Sequence, residues 1–278
     1  MARCKDGFTL LETSIVLAIV GLIIGGILVG KSLMNQAVLR GFMQDIAAQQ
    51  AAFTTFKGKY HAYPGDFRHA TQYWGRADAG TPTTSNCAAP ETDIDVTNPK
   101  ATCNGDGDGM IANGSNTEAN TETFRYWQHL SNAGLIPGSY TGVGGPVGGT
   151  FWRIGTIGVN VPPNKFKNGG FYVTYSGLAW GCAAPGWTGP GTTDLSNSLK
   201  AGGQTPQTAG SGGLPWQGLA SGDEMYALDS KYDDGLPGQG FFMSQCPDSI
   251  CTTTNDTSTA AYVGGETRTC RPQIAMGR

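Results

Sequence analysis

The feature that most constrains this chain is an apolar run near its N-terminus. From Phe8 to Gly30 the only ionisable side chain is Glu12, and Lys31 closes the run. These 23 residues match the roughly 20 that an α-helix needs to span a bilayer. The run therefore predicts a transmembrane helix, with the short basic segment 1–7 ahead of it.

The acidic residue inside this run, Glu12, is unusual for a membrane segment. A carboxylate costs about 2.5 to 3.5 kcal/mol at the middle of a bilayer and less near the interface, so an intramembrane acid is a functional candidate by default. An ordinary secretory signal peptide is disfavoured, because no small-x-small cleavage site followed by polar sequence ends the run.

The segment Gly7-Phe8-Thr9-Leu10-Leu11-Glu12 resembles the processing and N-methylation motif of type IV prepilins and type II secretion pseudopilins. The resemblance implies cleavage of the leader between Gly7 and Phe8, methylation of the new N-terminus of Phe8, and a role for Glu12 in assembly. Glycine lets a peptidase approach the backbone closely. In an apolar helix bundle Glu12 can neutralise the Phe8 ammonium of a neighbouring subunit, which favours the correct register. A signal anchor with a chance glutamate is the alternative.

The helix is expected to continue beyond the membrane, because no proline lies between Phe8 and Lys57 and apolar residues keep helical spacing. Residues 31–57 are then an amphipathic continuation that lies against a globular head, while 8–30 pack with other copies. The glycines of the apolar run permit close helix contacts. Many major pilins carry a proline in this run, and its absence here leaves the choice between major and minor subunit open.

Composition indicates that the head, 58–278, folds outside the cytoplasm. Charged residues make up only 14% of the chain, whereas glycine (43) and proline (15) are abundant, as in loop-rich exported proteins. The formal net charge of −3 offers no basic face for nucleic acid.

Cysteine usage agrees with an exported head, because one of the seven cysteines lies in the leader and six remain. An even number predicts three disulfides, whose connectivity the sequence does not resolve. The alternative is six buried thiols in a reducing compartment. The candidates are Cys87, Cys103, Cys182, Cys246, Cys251 and Cys270.

The stretch 76–121 is rich in Thr, Asn, Gly and Asp, which predicts an insertion loop rather than core. Within it Asn104, Asp106 and Asp108 alternate with glycines. Alternating oxygen ligands with a glycine at the sixth position are typical of the first half of a calcium-binding loop. The pattern therefore makes Asn104, Asp106 and Asp108 candidate ligands for Ca²⁺.

The second half of that calcium pattern is incomplete. Ser115 stands where an EF-hand has its bidentate glutamate, so Glu118 or Glu122 would have to replace that ligand. The alternative is a plain Asx/Gly turn held by a Cys87–Cys103 bridge.

The rest of the head predicts one short helix and several strands. Thr123–Ile136 has helical spacing, and its Trp127–Leu135 motif resembles one that recurs in pilin-like proteins, which favours core packing for His129. Four β-rich runs predict an antiparallel sheet laid on the long helix, in an α+β pilin-like fold with long disulfide-bonded loops. These runs are Phe151–Ile157, Gly170–Tyr175, Glu224–Leu228 and Gly240–Met243.

The segment Asp229–Gly238 predicts a turn between two of these strands, and it resembles a connection seen in pilin-like proteins. Asp233 and Asp234 are expected to cap backbone amides in the turn rather than bind a cation or act in acid/base chemistry. His61 and His69 flank a Pro-Gly turn and receive no chemical role. Three tryptophans in Gly/Pro-rich stretches fit either a recognition surface or packing: Trp180, Trp187 and Trp216.

No nucleophile elbow, zinc-ligand spacing, phosphate loop or dinucleotide fingerprint is present, so no enzyme is predicted. The resemblance instead implies a structural subunit of a type IV pilus or a secretion pseudopilus. Its partners would be other copies and related pilin-like subunits, the prepilin peptidase and the inner-membrane assembly platform. It would sit in the bacterial inner membrane before assembly and in a periplasmic or cell-surface filament afterwards.

Two alternatives to a filament-building subunit stay open. One is a minor or tip subunit, because the head is large. The other is a membrane-anchored extracellular binding protein, such as a cell-adhesion protein, that never polymerises. The sequence does not choose among adhesion, secretion, DNA uptake and motility.

Overall fold

The computed structural model describes residues 9–78, 87, 94–111, 122–144, 154–175, 197–206, 213–245 and 251–276. Helices and strands both occur within this part of the chain, which confirms the α+β class. In chain order they are α1 (Leu10–Tyr60), α2 (Ala70–Trp74), α3 (Glu122–Asn132), β1 (Gly169–Tyr175), β2 (Asn197–Gly203), α4 (Gly222–Tyr232), β3 (Phe242–Ser244) and β4 (Pro272–Ala275).

Packing divides the chain into two compact units, Met1–Gly41 and Phe42–Arg278. In the first unit the residues from Leu10 onward are helical, and none of them is buried. In the second unit the last turns of α1 bury a mostly apolar face with helical spacing, in which the polar Gln49 lies between Ile46 and Ala52. The apolar members of that face are Phe42, Met43, Ile46, Ala52, Phe53 and Phe56.

The sheet has the strand order β1-β2-β4-β3, and every pairing is antiparallel. Its register places apolar side chains from all four strands on one face: Phe171, Val173, Leu199, Ala201, Phe242 and Ile274. The Phe171 ring stacks on Phe42 of α1 with 5.6 Å between ring centroids. This contact confirms the expected packing of the long helix on an antiparallel sheet.

The opposite face of the sheet is also buried, although it is polar. Tyr172, Lys200 and Gln273 pair across three neighbouring strands, and each is at most 3% exposed. The Tyr172 hydroxyl donates a hydrogen bond of 2.8 Å to Oε1 of Gln245. Burial, together with the nearby Arg271 cation, lowers the pKa of Lys200 to about 7. The pairing on this face is incomplete, because Oε1 of Gln273 is buried with no hydrogen-bond partner among the described residues.

The predicted strand over Glu224–Leu228 is wrong, because these residues lie in helix α4. Ser221 begins the helix with a capping box: its Oγ accepts from the Glu224 backbone N–H at 3.2 Å, and the Glu224 carboxylate accepts from the Ser221 N–H at 3.0 Å. Such reciprocal bonds satisfy amides that a helix start leaves unpaired. The prediction of a turn over the whole of Asp229–Gly238 is therefore also wrong, because residues 229–232 are the last turn of α4 and the connection to β3 begins at Asp233.

The other strand predictions have mixed outcomes. The run Gly170–Tyr175 is confirmed by β1, and Gly240–Met243 overlaps β3, which begins at Phe242. Residues 151–153 lie outside the described part, and 154–157 form only isolated bridges. Strands β2 and β4 are absent from the prediction, because their sequences contain few β-branched or aromatic residues.

The prediction that 76–121 contributes no core is wrong. The described residues of this stretch form no helix or strand, but Ala101, Cys103 and Ile111 are at most 3% exposed. A disulfide joins Cys87 to Cys103 and fixes the loop covalently. Loop backbone can be buried in this way when its polar groups are paired.

A second disulfide joins Cys251 to Cys270, whereas Cys182 and Cys246 lie outside the described residues. The predicted disulfide-bonded character of the head is thus confirmed at these two bridges. The predicted second helix is also confirmed, because α3 spans Glu122–Asn132 and residues 122–130 are all buried.

Candidate functional site

The first candidate site is the start of helix α1, where Thr9 and Glu12 form a capping box. Oε2 of Glu12 accepts hydrogen bonds from the Thr9 backbone N–H and from its hydroxyl, both at 2.8 Å. Oγ1 of Thr9 in turn accepts from the Glu12 N–H at 3.2 Å. The Glu12 carboxylate is therefore held in place by its own helix turn. Gly7 and Phe8 lie outside the described residues.

Helix α1 is the one helix, among the described residues, that is long and apolar enough to cross a membrane. Fifteen large apolar side chains in its first half are each at least 44% exposed. A continuous apolar surface of this size is not left in water by a stable protein. These side chains are Leu10, Leu11, Ile15, Val16, Leu17, Ile19, Val20, Leu22, Ile23, Ile24, Ile27, Leu28, Val29, Leu33 and Met34.

The second candidate site is the acidic loop, defined here as residues 104–109 together with Asp66. Carboxylate oxygens of Asp66, Asp106 and Asp108 all lie within 4.8 Å of one another. Asp66 accepts from the N–H groups of Gly107 and Gly109, the latter at 2.8 Å. The structure thus brings two of the predicted calcium ligands together and adds a third carboxylate.

The other predicted members of the calcium site have structural partners. Oδ1 of Asn104 accepts a hydrogen bond of 2.9 Å from the Thr71 N–H. Glu122, suggested as a replacement ligand, accepts from the Asp106 N–H at 3.0 Å, and both Ser115 and Glu118 lie outside the described residues. Three clustered carboxylates suit a hard cation such as Ca²⁺, and calcium binding stays a prediction.

Close backbone contacts place Asp66 in this cluster. A Cβ at Gly105 would lie 2.4 Å from the Asp66 Cα, so only glycine fits there. Burial raises the pKa of the Asp66 carboxyl to about 6; the charges of Asp106 and Asp108 act in the same direction, while the two glycine N–H groups oppose them. A cation would relieve this concentration of negative charge.

A second acidic cluster, Asp229, Asp233 and Asp234, lies at the C-terminal end of α4. Asp233 accepts from the N–H groups of Phe241 and Phe242, and Asp234 accepts from the Leu236 N–H at 2.8 Å. The expected capping of backbone amides by Asp233 and Asp234 is therefore seen in the structure. This pairing gives the cluster a structural role.

Asp229, the third member of that cluster, is fully buried. It accepts from the Tyr262 hydroxyl at 2.7 Å and from the Gly235 N–H at 3.1 Å. Burial raises its pKa to about 7, with a further contribution from Asp234 and Asp233. Asp229 thus ties the end of α4 to Tyr262.

His129 is completely buried and has a structural role, as its motif indicates. Its Nδ1 accepts from the Gly65 N–H at 3.0 Å, so in the neutral ring Nε2 carries the proton and donates to Oγ1 of Thr102 at 3.0 Å. Burial, and then the cation of Arg125, lowers the pKa of His129 to about 3. The ring joins the Pro-Gly turn to the buried loop.

Two contributors to these sites are missing from the sequence analysis. Thr9 is detectable, because Thr-x-x-Glu before an apolar run is the capping-box pattern. Asp66 has no such local signal, since it lies 40 residues before Asp106 in the chain. Of the three tryptophans considered for recognition, Trp216 is half-buried and the other two lie outside the described residues.

Comparison with known proteins found a family match at the N-terminal candidate site, the start of helix α1 with Thr9 and Glu12. Residues 2–28 match the family model described as the prokaryotic N-terminal methylation motif. No curated protein and no solved structure matches the chain. The family match therefore covers the segment predicted to be the leader, Glu12 and most of the apolar run, and the head is described by its own structure alone.

Proposed function

We propose that this chain, which carries the N-terminal signature of type IV pilins and pseudopilins, is a processed structural subunit of a type IV pilus or a secretion pseudopilus. The observation that carries the proposal is the methylation-motif match over 2–28, running directly into an exposed apolar helix. In this proposal a prepilin peptidase cuts after Gly7, Phe8 becomes the methylated first residue, and the chain catalyses no reaction.

The geometry at Glu12 supports a role in docking. Cleavage after Gly7 would create an ammonium on Phe8, and a carboxylate held by Thr9 is oriented before a neighbouring subunit arrives. A charge inside an apolar bundle is costly unless it is paired. Pairing Glu12 of one subunit with the Phe8 ammonium of the next offsets that cost and favours one register of the helices.

The exposed apolar surface of α1 supports a subunit that lies first in a membrane and later in a filament. Lipid covers apolar side chains of a membrane helix before assembly, and neighbouring helices cover them within a filament. Contacts within the described part of the chain do not require these glycines, since a Cβ added at Gly21, Gly25, Gly26 or Gly30 would meet no atom there within 4 Å. Close approach of a neighbouring helix in a filament would require them. We therefore place the subunit first in the inner membrane, next to its assembly platform, and then in a periplasmic or cell-surface filament.

Mass spectrometry of the N-terminus of the cellular protein tests the processing step. The expected result is a chain that begins with N-methylated Phe8. A Gly7→Val variant should keep its leader, because a β-branched residue blocks close approach of the peptidase. A chain that retains Met1, or one that begins beyond Gly30, would contradict the proposal.

Three variants separate a filament subunit from a membrane-anchored binding protein. Glu12→Gln preserves the size of the side chain but removes its charge, and Glu12→Ala removes both. Thr9→Val keeps the charge and deletes the hydroxyl that orients it. We expect both Glu12 variants to insert in the membrane and fail to assemble, with a milder defect for Thr9→Val. Normal filaments from Glu12→Ala would favour the anchored binding protein.

The large head keeps a minor or tip subunit as a second candidate, because residues 58–278 form most of the chain. Counting the copies of this chain in purified filaments distinguishes the two. A chain that makes up the bulk of the filament is the major subunit, and a few copies per filament indicate a minor or tip position.

A further inference from the structure

A buried arginine of α3 lies against one of the two described disulfides. The Arg125 side chain is 2% exposed, and its Nη2 donates to Sγ of Cys103 at 3.1 Å. Cys103 is bonded to Cys87, and the two cysteines belong to a small core cluster with Ala77 and Ala101. The filament proposal gives this contact between a cation and a disulfide no role.

A cation beside a sulfur atom affects how readily a disulfide is reduced. Reduction turns the leaving sulfur into a thiolate, and neighbouring Lys, Arg or His⁺ groups stabilise thiolates. A leaving sulfur that carries negative charge easily also leaves faster in thiol–disulfide exchange. Arg125 therefore favours opening of the bridge with the negative charge on Cys103.

The other sulfur of this bridge, that of Cys87, is the one that a reductant reaches first. Cys87 is 7% exposed, whereas Cys103 is completely buried. Attack on Cys87 expels Cys103, which is the sulfur that Arg125 contacts. Accessibility and charge therefore select the same leaving group.

The second described bridge, Cys251–Cys270, differs in both respects. Its two cysteines are each 1% exposed. The neutral hydroxyl of Ser244 lies 3.4 Å from Sγ of Cys251. Arg271, next to Cys270 in the chain, donates through Nη1 to the Trp216 carbonyl at 3.2 Å. We therefore expect this bridge to be the harder of the two to reduce.

Contacts that do not involve either sulfur keep Cys103 in place. The side chains of Gln128 and Asn132 on α3 donate to the backbone carbonyls of residues 101 and 100, at 2.9 and 2.7 Å. These hydrogen bonds hold the chain just before Cys103 on the same helix that carries Arg125. An opened bridge therefore leaves Cys103 beside Arg125, where the bridge can form again.

We propose that Cys87–Cys103 is a redox-sensitive bridge, which a dithiol reductant opens before Cys251–Cys270 and whose opening Arg125 assists. One thiolate of the dithiol attacks Sγ of Cys87, the Sγ–Sγ bond breaks, and its electron pair leaves on Cys103. The second sulfur of the dithiol then displaces Cys87 and closes the dithiol to its own disulfide. Of the two thiol protons of the dithiol, one ends on Cys87 and the other goes to solvent, so the protein gains two electrons and the dithiol loses two.

Reduction of the full-length chain by dithiothreitol, in detergent micelles at pH 8 with EDTA present, tests this proposal. Free thiols are alkylated at each ratio of reduced to oxidised dithiothreitol, and peptide mass spectrometry assigns them to individual cysteines. We expect half-reduction of Cys87–Cys103 at a ratio roughly tenfold below that for Cys251–Cys270. The opened protein should melt about 6 to 12 °C lower, because a bridge with a sequence separation of 16 restricts the unfolded chain.

Variants of Arg125 test the role of its charge. Arg125→Met should need a roughly tenfold higher ratio for half-reduction of Cys87–Cys103, which corresponds to about 30 mV. Loss of packing alone would make the bridge easier to reduce, so a harder reduction is specific to the lost charge. Arg125→Lys keeps the charge and should lie between Arg125→Met and the unmodified chain.

Lys100→Gln is the matched control for these variants. It removes an exposed cation that lies between the two bridged cysteines in the chain, and it should be reduced like the unmodified chain. Circular dichroism checks that every variant is folded. If Arg125→Met does not fold, the order in which the two bridges open and the ratio measured for Arg125→Lys decide.

Three results would overturn the proposal. The first is opening of Cys251–Cys270 at the same ratio as Cys87–Cys103 or at a lower one. The second is a folded Arg125→Met that is reduced as readily as the unmodified chain, or a Lys100→Gln that changes equally. The third is an opened bridge that does not form again when oxidised dithiothreitol is restored. Failure here leaves the filament proposal untouched, because that proposal is tested at Gly7, Phe8 and Glu12.

Discussion

Replacing His61 by glycine should stabilise the head, although the change deletes a whole side chain. His61 has a φ of 54°, and the left-handed conformation costs an L-residue about 1 to 2 kcal/mol. Glycine avoids that cost but loses about 0.5 to 1 kcal/mol through the greater freedom of the unfolded chain. With the midpoints of these two ranges, the expected gain is about 0.75 kcal/mol.

The side chain of His61 contributes little to offset this gain. It is exposed, and no hydrogen bond to its imidazole is found among the described residues. The backbone bond from its N–H to the Lys57 carbonyl is kept by glycine. For a unit of this size the gain corresponds to a rise of about 1 to 4 °C in melting temperature.

Thermal unfolding followed by near-ultraviolet circular dichroism measures the effect, because the rings near this turn report on packing of the head. His61→Ala is the matched control: it removes the same imidazole but keeps the left-handed cost, so its stability should equal that of the unmodified chain. The reasoning is refuted if His61→Gly is less stable than His61→Ala.

Three further predictions concern stability and cation binding. Ser221→Ala deletes the capping box of α4 and should lower the free energy of unfolding by about 1 kcal/mol in urea titrations. Ser230→Ala, on the exposed side of the same helix, is the control and should change the free energy of unfolding little. Equal losses in the two variants would contradict the role of the cap. His129, with a pKa of about 3, should stay neutral at pH 5 in NMR spectra of its ring. Because the unfolded chain takes up this proton from about pH 6.5 downward, this histidine should reduce the free energy of unfolding by up to about 1.4 kcal/mol per pH unit between pH 6.5 and 3; a folded-state ring that titrates near pH 6 would contradict this. Calcium should raise the melting temperature of the unmodified chain and leave that of Asp106→Ala unchanged, and an unchanged melting temperature in both would remove the calcium assignment.

The N-terminal motif could be recognised from the sequence, apart from the part that Thr9 plays, because its residues are close neighbours in the chain, and the roles of Gly7, Phe8 and Glu12 stay predictions. Gly7, Phe8 and Glu12 lie within six residues, and the apolar run follows directly. A helix places such neighbours in a known relation to one another, so no distant contact is needed to define the site. The family match over 2–28 covers the same residues.

The acidic loop could be predicted only in part. Alternation with glycine reveals Asp106 and Asp108, but Asp66 joins them because the chain returns to the Pro-Gly turn. A pocket beside it has the same origin, since it combines the end of α1 with glycines 40 or more residues away. The spacing of residues along the sequence does not predict such long-range contacts.

Helix α4 was predicted wrongly as a strand, and strands β2 and β4 were not predicted. The capping box at Ser221 and Glu224 was present in the sequence, and giving it priority over a short apolar run would have predicted the helix. Strand β2, by contrast, is rich in glycine and polar residues, and it is a strand because β1 and β4 pair with it on both sides.

The sequence by itself predicted the methylation motif, the long apolar helix with an acidic residue near its start, and the disulfide-bonded character of the head, each of which is confirmed. Only the tertiary structure decided that the second face of the sheet buries Lys200, that Asp66 completes the acidic cluster, and that a pocket forms beside His61. The physical reason is range: helix formation, capping and membrane insertion depend on neighbours along the chain, whereas strand pairing and site assembly depend on contacts that only the folded chain creates.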